Sequence, residues 1–496
     1  MRLWMGRQII AMVDLISISA RISNGKRKFP VLILACLLLL TSCASVDQDL
    51  PSEPEEGVLI YAALNPITNG LQARVDAFND SHTDVQIEIR DYSDENGPQR
   101  LLVELTAGRI PDIMELQRLG TEAVADDKEA EVMWHTSPLD ADLSGCYWMP
   151  YQRLVQKGYL EDLWPYIEND PDLGREGVLE APLKAAEVDG GLYMLFREVS
   201  INTLVGAESV IGDRRGWTVE ELMEAFSNMS ADSTVLHYDT VRSKVFFALL
   251  GPTLSQYVNW NTGQCSFDSK EFRSMVEILK CFPAEFDSSL SAEALEKEIL
   301  FRRMDGLQML ESTEIGMLKD IPYYNGFFKD GVTYVGYPTV DGGSGGSTFL
   351  LHGNKLAMSS ACQDKEAAWD FIRQLVQRSN YRSKATMDKA HRMEQVKIRI
   401  NRKDYELGNK VDLEREETRR PLYSGGPLIK MFPPTEEEFH LFEDLINNTT
   451  QIYWPNDALS DIVWEALGPY FAGDKTMDET IALVQDRVRL YVNEQK

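Results

Sequence analysis

The chain has 496 residues, of which 44% are hydrophobic, and its formal net charge at pH 7 is −28. A surface this acidic repels phosphate backbones and anionic lipid headgroups, so we expect no nucleic-acid partner. A chain of this length is expected to build more than one hydrophobic core.

The segment from Lys26 to Cys43 has the three parts of a secretory signal. Three basic residues precede the apolar run at 31–40, which is too short to cross a bilayer, and a Thr-Ser-Cys ending follows. This ending resembles the lipobox of bacterial lipoproteins, which implies a lipid on Cys43 and a location on the outer face of the cytoplasmic membrane. We interpret residues 1–42 as a signal peptide whose translation start is left open, with an uncleaved anchor as the alternative.

Residues 43–57 are polar, acidic and proline-bearing, with no apolar period. This composition predicts a flexible tether between the lipid and the fold. The four cysteines further along the chain show neither the Cys-x-x-Cys nor the Cys/His spacing that is typical of zinc sites. We therefore predict no metal site and leave the redox state of these cysteines open; they are Cys146, Cys265, Cys281 and Cys362.

An alternation of strands and helices begins at Val58. The run at 58–63 is continuously apolar, which is typical of a fully buried strand, and the next apolar residues recur at helical spacing. The pattern gives strand, helix, strand, helix and strand over 58–63, 67–78, 85–89, 101–105 and 111–116. This order predicts a doubly wound α/β sheet, which binds ligands at the carboxyl ends of its strands.

Later helix starts are indicated by capping boxes, in which Ser, Thr or Asp precedes Glu by three residues. The pairs are Thr218 with Glu221, Asp268 with Glu271, Thr435 with Glu438, and Thr476 with Glu479. Apolar periodicity predicts two buried helix faces, at 367–375 and at 481–491.

A set of short motifs runs in a specific order along nearly the whole mature chain. The motifs lie at 77–79, 105–113, 157–163, 189–193, 216–222, 336–339 and 355–372. Each motif is weak by itself, but their order and spacing resemble the extracellular solute-binding proteins of ABC importers. The resemblance is to family 1 of these proteins, the group that includes maltose-binding protein.

The resemblance implies a two-lobed periplasmic-binding-protein fold of the α/β class, with a doubly wound sheet flanked by helices in each lobe. Two crossing segments would form the hinge, near residues 196–203 and 348–354. The first lobe would hold residues 57–197 plus about 355–400, and the second about 200–348 plus about 420–496. Lobe closure around a ligand is the mechanism that this fold implies.

The family also implies a function. We expect a monomeric, non-enzymatic receptor that captures a carbohydrate and delivers it to the transmembrane subunits of an ABC permease. Among carbohydrates we expect an oligosaccharide. Such a receptor needs no cofactor and no catalytic residue.

Candidate ligand contacts are residues in loops after strands or at the crossings. Aromatic faces stack on sugar C–H faces, and polar side chains pair with sugar hydroxyls. The candidates are Tyr61, Asn65, Glu115, Gln117, Arg197, Tyr257, Asn259, Trp260, Ser347 and Thr348.

Three alternatives stay open on the sequence alone. A surface glycoside hydrolase or lyase would need two carboxylates about 5–9.5 Å apart across a cleft, and sequence spacing does not decide this. A sensor that reports its ligand to a membrane kinase would have the same fold. A peptide or polyamine ligand is also open, and the acidic charge makes a cationic ligand worth testing.

Overall fold

A computed structural model describes residues 56–494, apart from 119–146, 238–239, 261, 287–288, 327, 329–330, 341, 344–345, 377–396, 415–416, 422–427 and 455–456. The signal peptide and the lipidation site predicted above lie outside the described residues. Within the described part, no helix is long and apolar enough to cross a membrane.

The strands are short, apart from one strand of ten residues at the centre of the chain. They are β1 (Val58–Ala63), β2 (Gln86–Asp91), β3 (Ile113–Glu115), β4 (Gln117–Arg118), β5 (Tyr147–Trp148), β6 (Glu198–Ala207), β7 (Val258–Asn259), β8 (Gln264–Cys265), β9 (Leu310–Ile315), β10 (Val332–Tyr334), β11 (Thr348–His352), β12 (Leu356–Met358), β13 (Ile398–Arg399), β14 (Thr418–Pro421), β15 (Leu428–Met431) and β16 (Gln451–Ile452).

The helices vary from one turn to five. They are α1 (Asn69–Ser81), α2 (Gly97–Thr106), α3 (Tyr151–Gln156), α4 (Trp164–Asn169), α5 (Glu180–Ala185), α6 (Glu208–Ile211), α7 (Val219–Ser227), α8 (Arg242–Val245), α9 (Lys270–Lys280), α10 (Ala292–Met304), α11 (Asp320–Asn325), α12 (Lys365–Val376), α13 (Arg402–Leu413), α14 (Glu436–Asn448), α15 (Asp457–Ala472) and α16 (Met477–Glu494).

The first sheet has the strand order β12-β3-β1-β2. β1 pairs in parallel with both β2 and β3, and helices α1 and α2 make the connections, whereas β12 pairs with β3 antiparallel. The apolar run of β1 is buried from Leu59 onward, as its continuous hydrophobicity predicts. The alternation predicted for this part of the chain is therefore confirmed.

Three of the four predicted capping boxes are found where the sequence places them. Thr218, Thr435 and Thr476 each exchange side-chain and backbone hydrogen bonds with the glutamate three residues later. The fourth prediction is wrong by one residue: Ser269, not Asp268, caps α9 by accepting a hydrogen bond from the backbone N–H of Phe272. Both residues have good cap chemistry, and the chain geometry selects between them.

The second sheet is organised around β6. Along one edge β6 pairs with β11 and then β10, and along the other with β13 and then β9, all antiparallel. β11 also pairs in parallel with β16. The two predicted crossing segments are thus hydrogen-bonded to each other, from Thr348 opposite Asn202 to His352 opposite Glu198.

The buried apolar residues form two separate clusters. The first core is built on the first sheet and includes Leu59, Phe78, Ile113, Phe371 and Ile446; the second includes Trp217, Phe272, Leu310, Val463 and Val488. Two cores within a mixed α/β chain confirm the predicted two-lobed α/β class. The predicted lobe boundaries stay a prediction; residues 442–452 pack in the first core and residues 459–492 in the second.

Candidate functional site

A buried carboxylate, Glu115, lies where β1 and β3 end and is only 1% exposed. Its Oε1 accepts hydrogen bonds from the hydroxyl of Tyr61 and from Nδ2 of Asn354, each at 2.8 Å. Its Oε2 accepts from the backbone N–H groups of Leu64 and Asn65 at 2.9 and 2.8 Å, and from Nδ2 of Asn65 at 2.8 Å. Five donors fill the roughly four lone-pair positions of the carboxylate.

Burial raises the pKa of Glu115, and the hydrogen bonds from Tyr61 and Asn65 oppose that rise. Burial also raises the pKa of Tyr61, helped by the negative charge of Glu115 beside it. The hydrogen-bond partners of the Glu115 carboxylate among the described residues are all donors, which favours its ionised form, although burial still keeps its pKa above the ordinary value. The arrangement fixes the loop after β1 to the end of β3, and it leaves the carboxylate no free acceptor position.

Gln117 lies two residues further along, in β4, where it pairs with Trp148 of the antiparallel strand β5. Its backbone oxygen accepts a hydrogen bond from Nδ2 of Asn65 at 2.8 Å. The side chain is 7% exposed, and its Oε1 has no hydrogen-bond partner among the described residues. The structure therefore brings Tyr61, Asn65, Glu115 and Gln117 together, as expected for loops at one edge of a sheet.

One face of the β6 sheet is polar. Because side chains alternate along a strand, Ser200 and Asn202 share this face with Thr348, His352 and Glu314 on the paired strands. Oδ1 of Asn202 accepts a hydrogen bond from the Tyr337 hydroxyl at 2.6 Å. Among the residues that the structure describes, Nδ2 of Asn202 and Oγ1 of Thr348 have no hydrogen-bond partner, although each residue is 1% exposed.

The charged groups on this face are paired with each other. Glu314 contacts Nε2 of His352 at 3.1 Å and the ammonium of Lys397. Burial alone would raise the pKa of Glu314, but His352 and Lys397 outweigh it and hold that pKa below its ordinary range. Burial lowers the pKa of His352, and Glu314 opposes this only in part.

His352 also contacts the hydroxyl of Ser200, at 2.7 Å. This contact uses Nε2, the same nitrogen that faces Glu314. A Ser-His-acid relay needs the hydroxyl and the carboxylate on different ring nitrogens, so these three residues lack the geometry of a nucleophilic triad.

Arg197 and Ser347 lie at the start of the two crossings. Arg197 is 30% exposed, and its Nε is 3.5 Å from Glu198, which also binds Arg399 at 2.6 Å. Ser347 is 5% exposed and shares a 2.8 Å hydrogen bond with the hydroxyl of Thr203.

The remaining three candidates lie in and beside the β7–β8 hairpin of the second core. Tyr257 is 2% exposed and packs on Phe267 and Phe272. Trp260 is half-buried against the second core, with its ring edge-on to Tyr491 of α16 at 6.3 Å. Asn259 is exposed, and its side chain accepts a hydrogen bond from the backbone of Thr262 within its own turn.

Two residues near the Glu115 carboxylate and the second crossing, Asn354 and Trp454, were not among the candidates. Asn354 lies inside the predicted second crossing. It is a polar residue at a crossing, so the criterion used for the other candidates could have found it. Trp454 follows β16 and stacks on Tyr151, with ring centroids 5.3 Å apart and planes inclined by 23°. Its neighbour Tyr453 donates its backbone N–H to the backbone oxygen of Phe349 in the second crossing at 2.8 Å. No local sequence pattern predicts this hydrogen bond.

Within the described ranges, no group of three or more His, Cys, Asp or Glu side chains is arranged to hold a metal ion.

Comparison with known proteins gives structural similarity only. No family model and no curated protein matches the sequence. The chain is similar to the sugar-binding protein MalE of Xanthomonas citri (12% identity, 88% of this chain and 98% of that chain covered, TM-score 0.48). It is also similar to a periplasmic oligogalacturonide-binding protein of Yersinia enterocolitica (13%, 88% and 99%, TM-score 0.48).

A family 1 extracellular solute-binding protein of Alicyclobacillus acidocaldarius is similar as well (13%, 89% and 100%, TM-score 0.44). The last of these is described as a member of the family that the sequence motifs resemble. At TM-scores below 0.5 this similarity carries no argument about the ligand, and the fold assignment rests on the topology and the two cores described above.

Proposed function

We propose that this chain is a lipid-anchored solute-binding receptor that captures a carbohydrate between two lobes and delivers it to an ABC permease. The observation that carries the proposal is the way in which the two hydrophobic cores are joined. β6 contributes Val199, Ile201, Val205 and Ala207 to the first core, and Leu204, on the opposite face of the strand, to the second; on the paired β9, Ile315 and Leu310 divide in the same way. The two cores therefore pack on opposite faces of one shared sheet, and a sheet shared by two lobes suits a hinge.

The chemistry of the free buried groups supports a neutral, hydroxyl-rich ligand. Glu115, Glu198 and Glu314 are all engaged by donors or cations within the chain. Among the described residues at these edges, the buried polar atoms that have neither a hydrogen bond nor an ion pair are neutral amide and hydroxyl groups, on Gln117, Asn202 and Thr348. The buried guanidinium nitrogens of Arg197 and Arg399 also lack a hydrogen bond, but they lie 3.5 and 2.6 Å from the carboxylate of Glu198. Such groups gain most from a ligand that both donates and accepts hydrogen bonds, as a sugar hydroxyl does.

Trp454 supports the same ligand class. It is half-buried, lies beside the second crossing and stacks on Tyr151. Tyr151 begins α3, three residues after the strand that pairs with Gln117. A tryptophan at this junction suits stacking on a pyranose face, and Trp454 joins the proposed ligand contacts for that reason.

A thermal-shift screen tests the ligand class. The full chain is heated with neutral oligosaccharides, polyamines and peptides, and a ligand that binds only the folded state raises the melting temperature by mass action. At a concentration of about 100 times Kd the stabilisation is about 2.7 kcal/mol. A shift with a polyamine and none with any sugar would refute the carbohydrate proposal, and release of smaller glycans would favour a hydrolase or lyase.

The Trp454→Ala variant tests the site. We expect the sugar-induced shift to be lost, while the variant without sugar stays folded. The matched control is Trp464→Ala, because Trp464 is also half-buried but packs on Phe246 and Phe471 beside the second core. Equal loss of the shift in both variants would remove Trp454 from the site.

The lipid anchor is tested at Cys43. In the Cys43→Ser variant we expect release from the membrane fraction and impaired uptake, with unchanged melting temperature and ligand affinity. Retention of the variant in the membrane would refute lipidation at this residue.

A further inference from the structure

The bond between Asn354 and Glu115 joins the second crossing to the sheet of the first core. The two residues are 239 positions apart in the sequence, and the 2.8 Å hydrogen bond runs from Nδ2 of Asn354 to Oε1 of Glu115. Glu115 is buried, whereas Asn354 is exposed. The bond therefore ties an exposed part of the chain to a fixed point in the interior.

Glu115 is a firm anchor because four further donors hold its carboxylate. Tyr61 lies in β1, and Leu64 and Asn65 follow that strand; their four donors fix the carboxylate from one direction. The donor on Asn354 comes from the opposite side of the sheet order, next to β12. A hydrogen bond to a charged group is stronger than one between neutral groups.

The position of Asn354 in the second crossing means that its bond to Glu115 determines where this crossing can bend. β11 ends at His352, and Gly353 follows with a φ of +69°. After Asn354 the chain enters β12, where Leu356 exchanges backbone hydrogen bonds with Leu195. With Asn354 held by Glu115, Gly353 is the one residue between that bond and the end of β11. The second crossing can therefore pivot at Gly353.

We propose that Glu115 is a positioning residue that sets the pivot of the second crossing, and that it acts through Asn354 and not by contact with ligand. The proposal rests on the proposed function only in treating the two cores as lobes that move. It gives Glu115 a role in closure that its complete internal hydrogen bonding allows, whereas direct ligand binding would require it to give up a donor.

The test exchanges the two chemical roles. Asn354→Asp sets a second carboxylate against Glu115 and breaks the bond by repulsion. Adding Glu115→Gln restores it, because the new amide can donate to Asp at position 354 while its oxygen still accepts from Leu64 and Asn65. Asn169→Asp is the matched control, since Asn169 is exposed and its amide donates to a backbone oxygen at 2.7 Å.

The measurement is the distance between the cores in the full chain without ligand. Spin labels on unnatural amino acids at Ala73 of α1 and Ala482 of α16, both exposed, report this distance and leave the cysteines unchanged. For Asn354→Asp at pH 8 we expect the fraction of molecules whose label distance lies outside the main wild-type peak to rise about tenfold. This corresponds to about 1.4 kcal/mol. The double variant is expected to return to the wild-type distribution, and the control to match it throughout.

Three results would count against the proposal, and the first two concern the distance distribution. One is an Asn354→Asp distribution identical to that of the wild type; the other is a double variant that stays as broad as the single one. A lower melting temperature with an unchanged distance distribution would mark a structural role alone and also count against the proposal. Because no ligand is used, failure of the sugar screen leaves this reading unaffected.

Discussion

The ion pair between Lys397 and Glu314 offers a direct test of how the crossing strands are held. Lys397 precedes β13, and Glu314 lies in β9 beside Ile315, which packs in the first core. The side chains are 32% and 20% exposed. Lys397→Met keeps the length of the side chain and removes its charge.

The expected loss of stability follows from the burial of the pair. Removing one partner of a fully buried pair costs about 3–5 kcal/mol, and an exposed pair contributes about 0–1 kcal/mol. Lys397 is about one third exposed and His352 remains beside Glu314, so we expect about 2 kcal/mol. With about 2.1 cal/mol/K of unfolding entropy per residue over about 440 residues, this lowers the melting temperature by about 2 °C.

The loss should depend on pH with a definite sign. The pKa of Glu314 is held below its ordinary value of 4.5, so this carboxylate stabilises the fold above pH 4.5, and that contribution is lost as the pH falls toward the lowered pKa. Burial lowers the pKa of His352, so acid also destabilises the fold through that residue. The difference between wild type and Lys397→Met is therefore full near pH 7 and shrinks below about pH 4.5.

The assay is thermal unfolding followed by circular dichroism at a series of pH values. The control is Lys184→Met, because Lys184 pairs with Glu180 at 2.6 Å but is 56% exposed and should lose less than about 1 kcal/mol. Equal losses in the two variants, or a difference from wild type that stays constant from pH 7 down to about pH 3, would refute the reasoning.

Three further predictions concern packing and capping, and each is checked by urea unfolding. Gly97→Ala should destabilise the fold by about 1–3 kcal/mol, since a Cβ there would lie 1.7 Å from the backbone oxygen of Tyr92; Gly70→Ala in helix α1, where the nearest atom is 3.7 Å away, should cause no loss. Thr435→Ala removes the cap of α14 and should cost about 1 kcal/mol, and Thr435→Ser should restore most of it. Trp260→Ala should destabilise the second core by about 1–3 kcal/mol because its half-buried ring packs there; unchanged stability with weaker sugar binding would instead support a ligand contact.

Much of the fold follows from local pattern. The apolar run of β1 and the helical spacing of α1 are both visible in the sequence because burial requires hydrophobic residues at fixed intervals. The capping threonines could be predicted for the same reason, since a helix start needs its partner only three residues away. Asp268 shows the limit of this reasoning, because two adjacent residues of equal capping chemistry differ only in backbone geometry.

The candidate site was predictable in part. The expectation that Tyr61, Asn65, Glu115 and Gln117 meet follows from strand order, and the structure brings them together. That Glu115 has no free acceptor position could not be predicted, because one of its donors, Asn354, is 239 residues away. The burial of Tyr257 in the second core could not be predicted either. The local sequence around an aromatic residue in a polar loop is the same whether the residue faces a ligand or a core.

By itself, the sequence determined the α/β class, the order of the first strands and helices, and the position of two segments, near 196–203 and 348–354, that the structure pairs in one sheet. Each of these depends on periodicity over a few residues or on the order of short motifs. The tertiary structure decided which polar groups are already satisfied, and it placed Lys397 and β13 beside β6. Those outcomes depend on contacts between distant segments, because a hydrogen bond or ion pair is set by the distance between two groups and not by their separation along the chain.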